Sequence, residues 1–387
     1  MEEIVILEGA RTPHGAFLGN FKDLSAVDLG ETALRGLLDR TDIKEEIDYV
    51  AMGNSTQAGI GQVPGRQVAY KAGIPEEVPA TTVNEASGSS LRALTLVADR
   101  IGAGRIECGI AGGMESMSNT PHVVKGIRQG KKFGNVEMID SMIRDSLWDM
   151  NYDKHMGALT EELVEKYDIS REEQDRYALQ SHERAVNAVK EGLFEEEIVP
   201  VKVRDEEIVE DEGPRPDTSM EKLSDLDPVF KENGTVTAGN ASDLSDGASA
   251  VAVASREFAQ ENGLKTKAVI EDYQVSYRDP KWFPLAIEDA VKKLIDRNGL
   301  EISDVDLFEL NEAFAAHMVD FKQKLGIPYD KLNVRGGAVA LGHPIGASGG
   351  ILTTTLVHTM EEKDAKYGIV GMCVGGGGGI AVLLRRD

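Results

Sequence analysis

The sequence is poor in cysteine and in long apolar segments. Its 387 residues include two cysteines, Cys108 and Cys373, and we expect both to be free thiols rather than a disulfide in an intracellular chain. The opening residues, MEEIVILEGARTPHG, are typical of a strand and a turn, without the basic segment and apolar run of a signal peptide or the length of a membrane span. These absences argue against a secreted, disulfide-rich or membrane-spanning protein, and we expect a cytoplasmic location.

Positive charge is also scarce. Lys and Arg number 42 against 66 Asp and Glu, so the net charge is −24. Because nucleic acids and anionic membranes bind basic surfaces, we expect neither as a partner. Ten carboxylates lie between Glu191 and Glu212. We interpret this run as a solvated surface, and a chain from a salt-adapted organism is the alternative.

The composition itself, with 41% apolar residues and 41 glycines, is typical of a compact α/β protein. Two stretches, residues 83–116 and 342–379, resemble each other: each has a cluster of small residues, a helical pattern and a β-branched strand that ends in glycines. Chance similarity is one explanation. An internal duplication is the other, and it would place both clusters at helix N-termini facing a common cleft.

Between these stretches, residues 118–245 mix amphipathic helix patterns with Gly, Pro and Asp turns. Ser170 and Glu173 form a capping box, which predicts a helix start there. Because the segment has its own apolar periodicity, we interpret it as an inserted domain rather than a linker.

Residues 84–90, which read NEASGSS, place small residues at the start of a predicted helix. The positive end of a helix dipole and its free N–H groups favour a nucleophile or an oxyanion at such a point. A simple helix cap through Ser87 or Ser89 is the alternative. His343 lies between Gly342 and Pro344, where no bulky neighbour covers the imidazole, and this setting favours a functional histidine.

Two further polar groups lie in apolar surroundings. Cys373 ends a predicted buried strand and could be a core thiol, but the glycines after it would let the backbone approach a ligand and offer it N–H donors. Asn311, in LFELNEAFAAHMV, is a costly burial unless it binds something such as an ordered water. The glycine patterns lack the acidic residue of a dinucleotide site, and no cluster has metal-ligand spacing.

Together these blocks resemble the thiolase family, and within it the biosynthetic acetoacetyl-CoA thiolases. The resemblance covers essentially the whole chain and includes residues 111–118, 155–157, 234–242 and 246–248. It implies two duplicated five-stranded α/β halves in α/β/α/β/α layers, with an inserted loop domain that holds coenzyme A. The N-terminal half would be residues 1–117 with 246–264, the loop domain 118–245, and the C-terminal half 265–387.

The resemblance also implies roles. Residue 87 would accept the acyl group, His343 would activate it, and Cys373 would be general acid and base. Asn311 would hold a water that binds the second substrate's thioester oxygen together with His343, and backbone N–H groups of residues 87 and Gly375 would bind the acyl-enzyme oxyanion. The residues implied to contact coenzyme A are Leu147, His155, Met156, Ser242, Ala313 and Phe314 along the pantetheine, with Arg215 and Phe230 nearer the nucleotide.

Coenzyme A would be substrate and product, and no metal or redox cofactor is implied. The segment 127–134, IRQGKKFG, resembles the cationic loop through which these enzymes form tetramers. We therefore expect a homodimer or a homotetramer.

The sequence departs from the family at three places. Position 87 is Ser where the family has its acyl-accepting Cys. A thiol titrates near pH ~8.5, whereas a hydroxyl must lose its proton during attack, so the rate could fall by several orders of magnitude. Arg335 replaces a small or amide residue, and residues 279–284, DPKWFP, lack an expected glycine turn and carry two aromatics near the predicted acyl group.

The predicted function is acyl-CoA C-acetyl transfer: two acetyl-CoA, or acetyl-CoA and another acyl-CoA, condense to a 3-ketoacyl-CoA and CoA, and thiolysis is the reverse. Ser87 would be either a native serine nucleophile or an engineered trap for a cysteine enzyme. A non-catalytic scaffold that binds CoA esters is a second hypothesis. A decarboxylating ketoacyl synthase is a third, although that chemistry needs a second histidine where this chain has Asn311 or Cys373.

Overall fold

The computed structural model describes residues 2–387, which form sixteen β-strands and eleven α-helices. The strands are β1 (Ile4–Arg11), β2 (Gly15–Ala16), β3 (Tyr49–Gly53), β4 (Ala80–Val83), β5 (Cys108–Ser116), β6 (His122–Val123), β7 (Ile139–Asp140), β8 (Trp148–Asp149), β9 (Lys154–His155), β10 (Val201–Val203), β11 (Glu206–Ile208), β12 (Ser245–Ser255), β13 (Ala268–Tyr277), β14 (Leu307–Leu310), β15 (Tyr367–Val374) and β16 (Gly378–Arg385).

The helices are α1 (Ala26–Thr41), α2 (Pro64–Lys71), α3 (Ser89–Gly102), α4 (Met156–Tyr167), α5 (Arg171–Lys190), α6 (Met220–Ser224), α7 (Arg256–Glu261), α8 (Leu285–Arg297), α9 (Ala315–Leu325), α10 (Ala338–Leu341) and α11 (Ser348–Glu362). Short 3₁₀ turns occupy Lys44–Glu46, Ile127–Gln129, Pro280–Trp282, Ile302–Asp304 and Tyr329–Lys331, and one π-helical turn occupies Ile143–Leu147.

A ten-stranded mixed sheet repeats one strand order in its two halves. The order is β4-β3-β5-β12-β1 in the first half and β14-β15-β16-β13 in the second, with β2 paired to β12. When the strands of each half are numbered from one along the chain, the first half has the order 3-2-4-5-1. The second half has the same order when the parallel bridge between Phe308 and Leu332 is counted as its third strand. The halves join where β1 pairs with β13 over two residue pairs. The repeated order supports the duplication predicted from the sequence, with one strand reduced to a bridge.

Two helices lie between the halves. Helix α3 packs on β3 and β5, and α11 packs on β1, β12, β14, β15 and α3. Helix α11 is buried from Ser348 to Met360, as its run of small and apolar residues requires. Helices α1 and α2 cover the outer face of the first half and α8 covers that of the second. The predicted α/β/α/β/α layering is therefore present.

The segment between β5 and β12 shares its core with the second half of the molecule. Its helix α5 begins with the predicted capping box, in which Ser170 and Glu173 bond each other's backbone N–H groups. Leu159, Leu163 and Tyr177 are buried in one cluster with residues of α8, α9 and β14. The segment therefore packs as part of the second half, and its predicted boundaries, 118–245, stay a prediction.

The acidic run is not entirely a solvated surface, which corrects the interpretation from the sequence. Glu197 and Asp211 are buried, and their carboxylates accept hydrogen bonds from Arg11 at 2.6 and 2.7 Å. Arg11 is fully buried, and these carboxylates raise its pKa although burial alone would lower it. His14 Nδ1 also lies 2.9 Å from Asp211. The other carboxylates of the run are exposed or half-buried.

Arg335 lies outside the predicted site. It is buried, donates to the Leu193 carbonyl at 2.6 Å and forms an ion pair with Glu362. It therefore ties the second half to the inserted segment, which explains the departure from the family by a packing role.

Candidate active site

Ser87 lies directly before α3 on a strained turn. Ala86 has a φ of +48°, in the left-handed region that non-glycine residues seldom adopt and that costs about 1–3 kcal/mol. The Ser89 hydroxyl holds the turn, because it donates to the Ala86 carbonyl at 2.6 Å and accepts from the Glu85 N–H at 2.9 Å. Neither serine caps α3 through its side chain, since the cap residue is Gly88. The simple-cap alternative is therefore wrong, and the Ser87 hydroxyl is available for another contact.

That contact is with His343. Ser87 Oγ lies 3.0 Å from His343 Nε2, and His343 Nδ1 lies 2.6 Å from Ser348 Oγ. The Ser348 hydroxyl donates to the Pro344 carbonyl at 2.9 Å, so its oxygen must accept the Nδ1 proton. This sequence of bonds assigns the tautomer and leaves the Nε2 lone pair facing Ser87. The result is a serine hydroxyl bonded to an oriented base.

Asn311 joins the imidazole to the thiol. Its Nδ2 atom lies 3.4 Å from His343 Nε2 and 4.0 Å from Cys373 Sγ. Asn311 is 1% exposed, and its Oδ1 has no partner among the described residues. A buried amide oxygen without a partner is costly, so it supports the expected water at this place. Cys373 is a buried free thiol at the end of β15, as is Cys108 in β5, which agrees with the expectation of no disulfide.

Burial sets the protonation of the base and the thiol. It lowers the pKa of His343 to about 4, with a smaller effect of nearby His14. It raises the pKa of Cys373 to about 11, against an opposing hydrogen bond from Asn311. At neutral pH the imidazole is therefore uncharged and able to take a proton, and the thiol is protonated and able to give one.

The glycine-rich hairpin after β15 approaches the Ser87 turn closely. A Cβ atom on Gly375 would lie 3.1 Å from the Ala86 Cβ, and one on Gly88 would lie 2.5 Å from the Val374 side chain. Side chains at these positions would force the two turns apart. The glycines therefore bring the backbones of residues 87 and 375 to the same wall of the cavity.

Buried carboxylates hold the loops that carry the polar groups. Glu115 accepts bonds from the Thr56 hydroxyl at 2.6 Å and from the Gly346 N–H at 2.9 Å, so it fixes the loop of His343 to the first half. Glu312 likewise accepts from Tyr177 and Ser181, each at 2.7 Å. These carboxylates support the site from behind and do not line its cavity.

A mostly apolar cavity of about 400 Å³ opens beside these groups. Ser87, His343, Cys373 and Gly375 line its inner end, whereas Asn311 lies behind the wall. Of the residues predicted to contact coenzyme A, those that line the cavity are Leu147, His155, Met156, Phe230, Ser242, Ala313 and Phe314. Arg215 does not line it. That side chain is exposed, lies 3.4 Å from Asp243 and borders the adjoining depression.

Stacked rings form one wall of the cavity. His155 stacks on Phe230 with ring centroids 4.7 Å apart, and Phe230 meets the edge of Phe314 at 6.1 Å. A Cβ on Gly157 would strike the Phe230 ring at 2.4 Å, so glycine is needed there for the stack to form. The His155 Nδ1 atom accepts the Gly157 N–H at 3.0 Å and so caps α4.

Sequence reasoning missed the role of Ser348 and part of the cavity lining. Ser348, which orients His343, lies five residues after it in the same segment, of which only the histidine was predicted to be functional. Phe283, one of the two aromatics flagged at residues 279–284, lines the cavity, and its ring meets the His317 ring at 5.3 Å. The π-helical turn Ile143–Leu147 supplies the predicted Leu147 and also Ile143 and Ser146, which the sequence did not single out. Such turns recur at functional sites, but they are seen only in a structure.

Within residues 2–387, no group of three or more His, Cys, Asp or Glu side chains is placed to hold a metal ion. Among the same residues, no helix combines the length and apolar character needed to cross a bilayer.

The chain matches two family models, "Thiolase, N-terminal domain" over residues 4–257 and "Thiolase, C-terminal domain" over residues 264–386. A protein of Staphylococcus epidermidis named "Probable acetyl-CoA acyltransferase" is 46% identical over 100% of this chain and 99% of its own length. A protein of Staphylococcus aureus with the same name is 45% identical over 100% of both.

Two solved structures have the same fold as this chain. The crystal structure of the Bacillus anthracis acetyl-CoA acetyltransferase has a TM-score of 0.96 at 37% identity, over 100% of this chain and 99% of that one. Human mitochondrial 3-ketoacyl-CoA thiolase in complex with CoA has a TM-score of 0.97 at 38% identity, over 100% of this chain and 98% of that one. Both the sequence and the fold thus show that this chain belongs to the thiolase family and is an acyltransferase.

Proposed function

We propose that this chain is an acyl-CoA C-acetyltransferase that carries its acyl group on Ser87. The observation that carries the proposal is the 3.0 Å contact between Ser87 Oγ and the unprotonated Nε2 of His343, in a cavity that Cys373 also lines. The acetyl-CoA named for the relatives and the CoA bound by the human thiolase support the substrate class.

In the first half-reaction, acetyl-CoA acylates Ser87. The uncharged His343 takes the hydroxyl proton as Oγ attacks the thioester carbon. The backbone N–H groups of Ser87 and Gly375 stabilise the oxyanion from the wall where the two turns meet. The protonated Cys373 gives its proton to the sulfur of the departing CoA. This leaves a thiolate beside the acyl-enzyme.

In the second half-reaction, that thiolate becomes the base. It removes an α-proton from a second acetyl-CoA, and the resulting enolate carbon bonds the acyl carbon of the Ser87 ester. The bond from that carbon to Ser87 Oγ then breaks, His343 returns its proton to the serine, and acetoacetyl-CoA leaves. A water held by the unpartnered Asn311 Oδ1, together with His343, binds the enolate oxygen. Because burial makes a free thiolate unfavourable, the α-proton is removed only after CoA has left with the thiol proton.

The cavity lining supports a binding direction for coenzyme A. The pantetheine would pass along Leu147, Met156 and the stacked pair of His155 and Phe230 to reach Ser87. The nucleotide would lie towards Arg215, outside the apolar cavity, where an exposed guanidinium can meet phosphate.

The test is thiolysis of acetoacetyl-CoA by the chain itself, by Ser87→Ala and by Ser87→Cys. Ser224→Ala, an exposed serine away from the cavity, is the matched control and should keep full activity. We expect the chain to be active, Ser87→Ala to be inactive and Ser87→Cys to be faster. If only Ser87→Cys turns over, the serine replaced a cysteine or catalysis was lost. If no variant turns over and the chain still binds acetyl-CoA, the hypothesis of a scaffold that binds CoA esters is favoured.

We further infer a homodimer or homotetramer. The segment 127–134 is exposed, and Phe133 is 95% exposed at its end, as a segment that contacts another copy of the chain would be. The cytoplasmic location and the absence of a further cofactor stay predictions from the sequence.

A further inference from the structure

We propose that the chain also hydrolyses acyl-CoA to the carboxylic acid and free CoA, with water as the second acceptor of the acyl group. The proposal rests on the proposed function, because both reactions share the acyl-enzyme on Ser87. It goes further in that it names a different product and a different acceptor.

The first argument is chemical. A thiolate or an enolate attacks a thioester far more readily than an oxygen ester, whereas water and hydroxide attack the two at similar rates. Oxygen in place of sulfur at residue 87 therefore slows both acceptors of the transferase reaction and leaves hydrolysis nearly unchanged. The acyl-enzyme also lasts longer, because its return to CoA is uphill from an oxygen ester. Both effects raise the share of the acyl group that is lost to water.

The second argument is geometric. The site already has an oriented, uncharged base within 3.0 Å of the ester oxygen, namely His343 Nε2. Beside it lies Asn311, whose buried Oδ1 has no partner in the described chain. A water bound at this oxygen would lie close to the base, since Asn311 Nδ2 is 3.4 Å from the same Nε2. Ser87, His343 and Ser348 thus form the serine–base–orienting-group arrangement of acyl-transfer hydrolases.

The steps balance without a redox change. Ser87 Oγ bonds the acyl carbon as His343 takes the hydroxyl proton, the C–S bond breaks, and CoA leaves as the thiol with the proton of Cys373. His343 then passes the serine proton to the Cys373 thiolate, so that both groups return to their starting states. Water oxygen then attacks the ester while His343 takes one of its protons. The bond between the acyl carbon and Ser87 Oγ breaks, and His343 returns the proton to Ser87. The sum is acyl-CoA and water to carboxylic acid and CoA.

The experiment follows both fates of the acetyl-enzyme at once. The chain is incubated with acetyl-CoA, isotopically labelled CoA and water enriched in heavy oxygen. Mass spectrometry then measures acetate with solvent oxygen, exchange of labelled CoA into acetyl-CoA, and acetyl on Ser87. Exchange reports transfer to a thiolate and acetate reports transfer to water. Ser87→Ala, Ser87→Cys and the control Ser224→Ala are run beside it.

We expect acetate that carries one solvent oxygen, at a rate unchanged in Ser224→Ala and lost in Ser87→Ala. The ratio of acetate to exchange should fall at least about tenfold in Ser87→Cys, equal to about 1.4 kcal/mol between the two barriers. Exchange without acetate would overturn the proposed hydrolysis but would still support an acyl-enzyme on Ser87. An unchanged ratio in Ser87→Cys would overturn the argument that the serine oxygen favours water as the acceptor. If exchange, acetate and acetyl on Ser87 are all absent, the proposed function is overturned as well.

Discussion

Removing the Ser348 hydroxyl should slow catalysis and leave substrate binding almost unchanged. This hydroxyl is buried, accepts the Nδ1 proton of His343 at 2.6 Å and donates to the Pro344 carbonyl at 2.9 Å. It does not line the cavity. In Ser348→Ala the imidazole loses both its orientation and the preference for the tautomer whose lone pair faces Ser87.

The magnitude follows from the charge on the imidazole. A hydrogen bond between neutral groups contributes about 0.5–1.5 kcal/mol, and one to a charged group about 1.5–3 kcal/mol. His343 is neutral before Ser87 attacks and positively charged during the attack, so the bond to Ser348 strengthens in the transition state. The loss in kcat is the difference between the two, about 1–1.5 kcal/mol, so we expect kcat to fall about 5–13-fold and KM to change little.

The assay is thiolysis of acetoacetyl-CoA over a range of substrate concentrations, with thermal unfolding measured beside it. Ser249→Ala is the matched control, because the buried Ser249 hydroxyl donates to the Ala347 carbonyl at 2.9 Å, next to Ser348, and does not contact His343. Both variants should lose stability, and Ser348→Ala alone should lose kcat. Equal kcat in the two variants would show that His343 does not depend on Ser348 for its orientation.

Three further predictions concern pH, chain length and stability. The His343 pKa of about 4 lies below the ~6.5 of histidine in an unfolded chain, so kcat should stay constant as pH falls towards 5. The free energy of unfolding should decline between pH ~6.5 and about 4, because the unfolded chain takes up a proton that the folded chain does not. A loss of kcat centred at pH ~6.5 would contradict this prediction. Phe283→Leu should widen the inner cavity and raise kcat/KM for longer 3-ketoacyl-CoA relative to acetoacetyl-CoA by about tenfold, and an unchanged ratio would exclude Phe283 as a limit on chain length. Arg11→Met removes the cation shared by the buried carboxylates of Glu197 and Asp211 and should cost about 3–5 kcal/mol in denaturant unfolding. Arg176→Met, at a solvent-exposed ion pair, should cost nothing measurable, and equal effects would refute the role of the buried cluster.

Local signals predicted much of the fold. The small-residue clusters before α3 and α11, the capping box at Ser170 and the glycines after β15 each act within a few residues, where propensity and backbone freedom decide the conformation. The duplication was visible because the same local pattern occurs twice. The reduction of one strand to a bridge at Leu332 was not visible, because its partner Phe308 lies far away in the chain.

The candidate site was predicted in part. Ser87, His343, Asn311 and Cys373 were chosen because their residue types are unusual in apolar or glycine-rich settings, and the fold brings all four together. Ser348 was overlooked, because a serine at a helix start has no unusual feature until its bond to the imidazole is seen. Their catalytic roles stay predictions.

By itself the sequence determined the α/β class, the repeated half and the types of group available for chemistry, because these depend on composition and on short-range pattern. Tertiary structure decided which groups meet. Ser87 and Asn311 reach His343 from distant segments of the chain, and the pKa values of His343 and Cys373 depend on burial by such segments. The burial of Glu197 and Asp211 around Arg11 was decided in the same way, since a run of carboxylates does not reveal which of them will find a partner.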